Sequence, residues 1–192
     1  MKSDIRPTID VDCVVNLQIA TYYDYSKLEE QLRVLGFHND TSENAPICRK
    51  IYNGIIVDFM PISPDIFGFS NAWYKDGVEN KIEKTLPDGT IIYIFAVEYY
   101  VATKFEALKS RSGTDIRSSH DWEDIVYVLD NCDGFTESVK NCSNPQLIEH
   151  LNKEFDGLLK NRNIKEIIYS ALPYGAEEEH VDKIVRIISQ TK

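Results

Sequence analysis

The sequence is short of positive charge. Its 21 Lys and Arg stand against 31 Asp and Glu, a formal net charge of −10. Such a chain does not grip nucleic acid by bulk electrostatics, because that needs Lys and Arg to displace counterions from phosphates. It has no apolar run approaching the roughly 18 residues of a helical membrane span, and its first ten residues, MKSDIRPTID, lack the apolar core of a signal peptide. We therefore expect a soluble, cytoplasmic protein without a membrane partner. The four cysteines, Cys13, Cys48, Cys132 and Cys142, form no CxxC pair, which argues against a zinc ribbon or dithiol centre and for reduced thiols acting as small apolar fillers. The nine glycines stand singly, and none lies among the nine residues before Asp10. The 192 residues and 43% hydrophobic content suffice for an ordinary core.

Strand and hairpin signals dominate the first half. The run from Ile9 to Leu17, IDVDCVVNL, reads as a strand. From Ile47 to Met60 a hairpin is predicted around Asn53-Gly54, with Pro61 and Pro64 closing its second strand. A second hairpin turns at Asp88-Gly89. Before the first hairpin, Leu28, Leu32 and Leu35 recur at helical spacing and stop at Gly36; between the two hairpins, the aromatic stretch from Ile66 to Tyr74 reads as loop or short helix. A helix is predicted from Val97 to Ser110, with Tyr100, Phe105 and Leu108 inward, and another from Asp121 to Leu129, begun by the capping pattern Ser118-x-x-Asp121. From Pro145 onward the pattern is helical throughout. This order predicts an α+β fold: a sheet domain over residues 1–115, then a helical region over 116–192, with the boundary near Asp115 to Ser119.

The chemistry concentrates in three carboxylates. Asp10 and Asp12 are two apart on a predicted strand, so both point to one face, with Val11 and Cys13 on the other. Two adjacent acids repel unless a cation lies between them, and oxygen-only ligands suit Mg²⁺; an exposed polar strand face accounts for the spacing equally well. Asp58 is the one charge in GIIVDFMPI. A lone acid in an apolar strand is costly unless paired, hydrogen-bonded or metal-bound; the alternative is a carboxylate capping a turn before Pro61. Two acids on one strand and a third on a neighbour is a layout suited to two-metal phosphoryl chemistry, in which the pair bridges two ions and the third acts as second-ion ligand or base.

With these residues in place, the chain resembles the AbiEii-type nucleotidyltransferases, a family that includes toxins of bacterial toxin–antitoxin and phage-defence systems. The matching segments are RPTIDVDCVV, IIVDFMP, FSNAWY, VATKFEALKSR and SSHDWEDIVYVLD, in family order from Arg6 to about Asp130. The resemblance implies a nucleotidyltransferase-like mixed sheet that binds a nucleoside triphosphate with Mg²⁺, one ion or two, and transfers a nucleoside monophosphate to an acceptor hydroxyl. In toxin members the acceptor can be a tRNA end, and an antitoxin protein can be the partner. It implies Asp10, Asp12 and Asp58 as metal ligands, Lys104 as a contact to the triphosphate, and Asp121 as the acid of the SHDxEDI segment. Arg111 lies two turns beyond Lys104 and is expected to face the same site; Arg49 is a further phosphate-contact candidate.

Structural alternatives stand beside each assignment. Lys104 pairs equally well with Asp121 or Glu106 on a solvated face. Asp121 fits a helix cap, Asp124 a structural partner, and His120 a residue at the start of the helix. Trp73, Tyr74 and Phe69 have the shape to stack on a base, although aromatic clusters usually build cores. The family also carries an earlier strand ending in Gly-Gly or Gly-Ser, whose backbone cradles the triphosphate. Here that element is missing. A start further upstream, a loop supplied by another subunit, or a degenerate, non-catalytic nucleotidyltransferase-fold binding module would each account for it. A missing strand would leave an edge beside Asp10 and Asp12, which leads us to expect a homodimer or a partner-bound state. A purely helical interaction protein would leave these acids unexplained.

Overall fold

The alternation of IDVDCVV places a strand, β1, at Asp10–Val15, in a computed structural model that describes residues 8, 10–15, 22–64, 68, 70–111 and 115–191, of residue 22 the backbone only. Arg6 of the first motif, Ile9 and Leu17 at the predicted strand ends, and Ile66 and Phe69 of the aromatic stretch lie outside the described residues. The fold is mixed α+β, as expected. It forms two compact units, Met1–Val78 and Glu79–Lys192. The sequence divides by composition near residue 115, strands before and helices after, whereas packing places the second hairpin and the helix after it with the C-terminal helices.

In the first unit, helix α1 (Tyr22–Val34) is followed by strands β2 (His38–Asn39), β3 (Arg49–Tyr52) and β4 (Ile55–Pro61). The four strands form one mixed sheet in the order β1-β4-β3-β2, with β1 parallel to β4 and the other pairs antiparallel. The β3–β4 turn is at Asn53-Gly54, both with positive φ (49° and 82°), the conformation a two-residue hairpin requires. Helix α1 ends in a Schellman motif: Gly36 (φ 96°) donates its N–H to the Arg33 carbonyl and Phe37 donates to that of Leu32, at 3.0 and 2.9 Å. Leu32 is buried and Leu28 half-buried, but Leu35, expected inward, is 65% exposed because it lies past the helix end. Phe37 instead carries the apolar stripe onward, 4.8 Å from the Tyr52 ring and 5.4 Å from that of Phe59.

The second unit follows the short helix α2 (Tyr74–Glu79). A two-stranded hairpin, β5 (Ile82–Thr85) and β6 (Ile91–Ile94), turns through Asp88 and Gly89. Among the described residues, six α-helices follow: α3 (Val97–Ser110), α4 (His120–Asn131), α5 (Phe135–Asn141), α6 (Pro145–Leu159), α7 (Ile164–Ser170) and α8 (Glu178–Gln190). Their shared core contains Trp122, Phe135, Phe155, Leu129, Leu151 and Ile184, all with no exposed surface. The Phe155 ring meets those of Phe105 and Phe135 edge-on, at 5.6 and 6.0 Å. On α3 the inward residue is Tyr99, at 2% exposure, while Tyr100 and Leu108 are half-buried. The run VEYYVATKF is apolar on several sides, so spacing alone does not fix its rotation. Tyr100 turns instead toward Lys104, one turn on, whose ammonium lies 5.4 Å from the Tyr100 ring centre.

Burial on α6 gives the stability of this unit a pH dependence. His150 is held below its ordinary value, first by loss of water and then by Lys109. A histidine depressed in the folded state binds fewer protons folded than unfolded. Its contribution is complete above the unfolded value near 6.5 and is lost as pH falls through the depressed folded value. Denaturant melts between pH 7.5 and 4.5 are expected to show this loss below about pH 6.5, and His150→Gln to flatten that part of the profile. An equally steep profile in the variant would assign the slope to other groups.

Candidate functional site

The carboxylate row is set by sheet register. Arg49 and Asp58 are equidistant from the Asn53-Gly54 turn, and they are direct partners across β3 and β4. On the other side of β4, Asp12 is the register partner of Asp58 and Asp10 that of Ile56. Register partners point to the same face of a sheet. Asp12, Asp58 and Arg49 therefore form one row across three adjacent strands, with Asp10 one pleat away on the same face. Asp58 lies within β4, not at its end, which excludes the turn-capping alternative.

Asp58 is 8% exposed and is held from both oxygens. Arg49 donates its Nε–H to Oδ1 at 2.9 Å and an Nη2–H to Oδ2 at 2.8 Å, the two-pronged geometry that makes guanidinium–carboxylate pairs strong. This bonding raises the Arg49 guanidinium further above its already high ordinary value, so it is a permanent cation. Asp10 is half-buried and Asp12 exposed. The Thr8 hydroxyl donates to the Asp10 carbonyl at 2.9 Å and lies 3.4 Å from its carboxylate. Burial, with the charge of Asp12 adding to it, pushes the Cys13 thiol up; burial and then Asp58 do the same to Cys48. Both are free thiols that stay protonated at neutral pH.

The opposite face of this sheet belongs to α1. Lys50 follows Arg49 in β3 and so points the other way, where it is 4% exposed. Its ammonium lies 2.5 Å from Glu29 on α1 and 2.8 Å from the Asn39 amide oxygen. The Tyr25 hydroxyl donates to the same Glu29 carboxylate at 2.5 Å. Burial first, and then that bond, pushes Tyr25 well above its ordinary value. Sequence reasoning passed over this cluster. Its signal was the Arg49-Lys50 pair itself: adjacent strand residues face opposite ways, so one cation had to meet the helix-covered side.

The remaining predicted residues lie in the second unit and converge on Asp121. This carboxylate is 4% exposed. Arg111, the C-cap residue of α3, donates to it at 2.6 Å, and the Lys104 ammonium stands 3.9 Å away. Lys104 also pairs with Asp124 at 2.8 Å. Lys104 and Arg111 both reach Asp121, and each cation has a carboxylate partner within its own unit. The expected capping pattern does not form: Ser118 belongs to a one-turn 3₁₀ helix, Ile116–Ser118, and its hydroxyl donates to the Asp115 carbonyl at 2.9 Å. Ser119 stands at the N-cap without a side-chain cap bond. A tight turn before the helix took up Ser118, and Asp121 turned inward to the two cations. His120 is exposed at the helix start, 3.0 Å from Glu123. Trp73 and Tyr74 are half-buried at the start of α2.

Among the described residues, no group of three or more His, Cys, Asp or Glu side chains is placed to hold a metal ion. The donor chemistry separates two cases. Asp10 and Asp12 offer oxygens only, from one strand face, and suit a single hard ion such as Mg²⁺, which commonly takes one or two carboxylates and completes its shell with phosphate and water. Asp58 accepts one hydrogen bond from Arg49 on each oxygen, so a second ion there would have to share the carboxylate with a fixed positive charge. Also among the described residues, no helix is long and apolar enough to cross a membrane. Comparison with protein-family models, curated proteins and solved structures finds no match to this chain.

Proposed function

We propose that this protein is a nucleotidyltransferase-like enzyme that binds a nucleoside triphosphate with Mg²⁺ and transfers its nucleoside monophosphate to an acceptor hydroxyl. The observation that carries this reading is the row Asp12–Asp58–Arg49 across three adjacent strands, with Asp10 on the same face. In the reaction the acceptor oxygen bonds to the α-phosphorus, the bond to the departing phosphate breaks, and pyrophosphate leaves. Asp10 and Asp12 would hold the ion, which when bound neutralises charge on the phosphates. Arg49, a fixed cation in the same row, offers its exposed side to a phosphate oxygen; its side chain is 26% exposed. An RNA end such as that of a tRNA is the acceptor the family resemblance suggests. With a net charge of −10 the chain would need to hold RNA by local contacts. A toxin role with an antitoxin partner, and self-association, belong to the same reading.

One observation favours a second reading. Asp58, the residue expected to serve as second-ion ligand or base, is already engaged at both oxygens. A non-catalytic module that binds nucleotide through Asp10 and Asp12 would need nothing more from it. Thermal melts with each of the four nucleoside triphosphates, with and without Mg²⁺, test both readings, because a ligand of the folded state raises stability by mass action. The expected result is a rise that requires Mg²⁺ and one nucleotide together. Pyrophosphate release in the presence of RNA then assigns the enzyme; the same rise without release assigns the binding module. No rise with any nucleotide overturns both.

A further inference from the structure

Helix α6 buries one side and leaves the other patterned with charge. Leu147, Leu151 and Phe155 lie on one face and have no exposed surface. An open groove follows the outer side of the helix, and Ile148, Glu149, Lys153, Asp156, Gly157 and Lys160 are among the residues that line it. Glu149, Lys153 and Lys160 form no ion pair with another described residue. Gly157 lies in the last turn of α6; its φ is not left-handed, and a Cβ placed there would meet nothing within 4 Å. Among the described residues, nothing calls for glycine at this position, and after proline it is the poorest helix former.

Glu149, Lys153, Asp156 and Lys160 alternate in sign along the groove. Taken in reverse, that order is its own complement. We propose that two copies of this chain pair antiparallel through α6, about a two-fold axis level with Glu154 and Phe155. Glu149 then meets Lys160 of the second copy and Lys153 meets Asp156, each pair formed twice by symmetry. A parallel pairing would set like charges against each other. The glycine has a use in the same arrangement. The Lys153 stem of the second copy lies over Gly157 on its way to Asp156, where a larger side chain would hold the helices apart. Pairing within the helix, Glu149 with Lys153 and Asp156 with Lys160, uses the same residues at favourable spacing, but it leaves Gly157 without a role.

A helix of this length runs about 22 Å, so the contact covers roughly 250 Å² per copy, well under the roughly 800 Å² of a standard interface. The dimer is therefore weak and depends on concentration. It uses residues of the second unit only and does not rest on the nucleotide reading above.

Sedimentation equilibrium of the full chain, from micromolar to near-millimolar concentration, is the test. The parent is expected to dimerise reversibly. Glu149→Lys and Lys160→Glu each replace two attractions with two repulsions, and each is expected to weaken the dimer about tenfold or more. Glu149→Lys does so although it lowers the net charge of the chain. An equimolar mixture of the two variants is expected to form a heterodimer as tight as the parent, because every facing pair is again opposite in sign. Gly157→Leu is expected to stay monomeric while melting no lower than the parent. A parent that is monomeric throughout, single variants that pair as tightly as the parent, or a mixture that does not associate each overturn the inference. So does a folded Gly157→Leu that dimerises like the parent.

Discussion

Trp122→Ala is expected to destabilise the C-terminal unit by about 3–5 kcal/mol, the range for removing a buried aromatic side chain. Trp122 is the second residue after the start of α4 and has no exposed surface. Its indole N–H donates to the Ile167 carbonyl at 2.9 Å, fixing α4 against α7. The loss comes mostly from the cavity, because that carbonyl keeps the Ser170 hydroxyl as a donor at 2.8 Å. Trp122→Phe, which retains most of the volume, should therefore cost much less, about 1–2 kcal/mol. Guanidinium unfolding followed by far-ultraviolet circular dichroism reads the difference, and the corresponding fall in Tm for the alanine variant is roughly 12–20 °C. An alanine variant within about 1 kcal/mol of the parent would mean that the site collapses around the missing ring, contrary to the usual behaviour of a sealed core.

What was legible in the sequence follows from how locally each feature is determined. The Val97–Ser110 helix and the Asn53-Gly54 hairpin depend on residues within a few positions of one another, and both appear as expected. The Arg49–Asp58 pairing was legible too, though not by motif. Counting outward from the turn pairs Tyr52 with Ile55 and, three steps on, Arg49 with Asp58. Asp12 beside Asp58 was not countable, because β1 reaches β4 only through a long crossover that leaves the register open. Helix rotation was the other blind spot. Tyr99 rather than Tyr100 faces inward because the second helical layer decides which side of an evenly apolar run is buried. The Ser118 cap failed for a related reason: one residue had two local partners available, and the 3₁₀ turn took it.

The double variant Asp10→Asn, Asp12→Asn is expected to lose the Mg²⁺-dependent part of nucleotide binding, by about 100-fold or more, while melting no lower than the parent in the absence of ligand. At a nucleotide concentration near one hundred times the parent's Kd, a variant weakened 100-fold would forfeit about 2.3 kcal/mol of ligand stabilisation, and one that no longer binds about 2.7 kcal/mol. Both halves of the expectation rest on position. Asp12 is exposed and Asp10 half-buried on the same face of β1, so replacing either charge leaves no uncompensated group in the core. Asparagine keeps the shape of each side chain and removes the repulsion between them. What it removes as well is the pair of anionic oxygens that a hard cation requires. Asp58→Asn is the contrasting control: that residue is buried and bound to Arg49, so its loss is expected to lower the melting temperature of the ligand-free protein. A double variant that binds Mg²⁺ and nucleotide as well as the parent would remove Asp10 and Asp12 from the site. One that melts well below the parent without ligand would make them structural, held in place by contacts such as the Thr8 hydroxyl on Asp10.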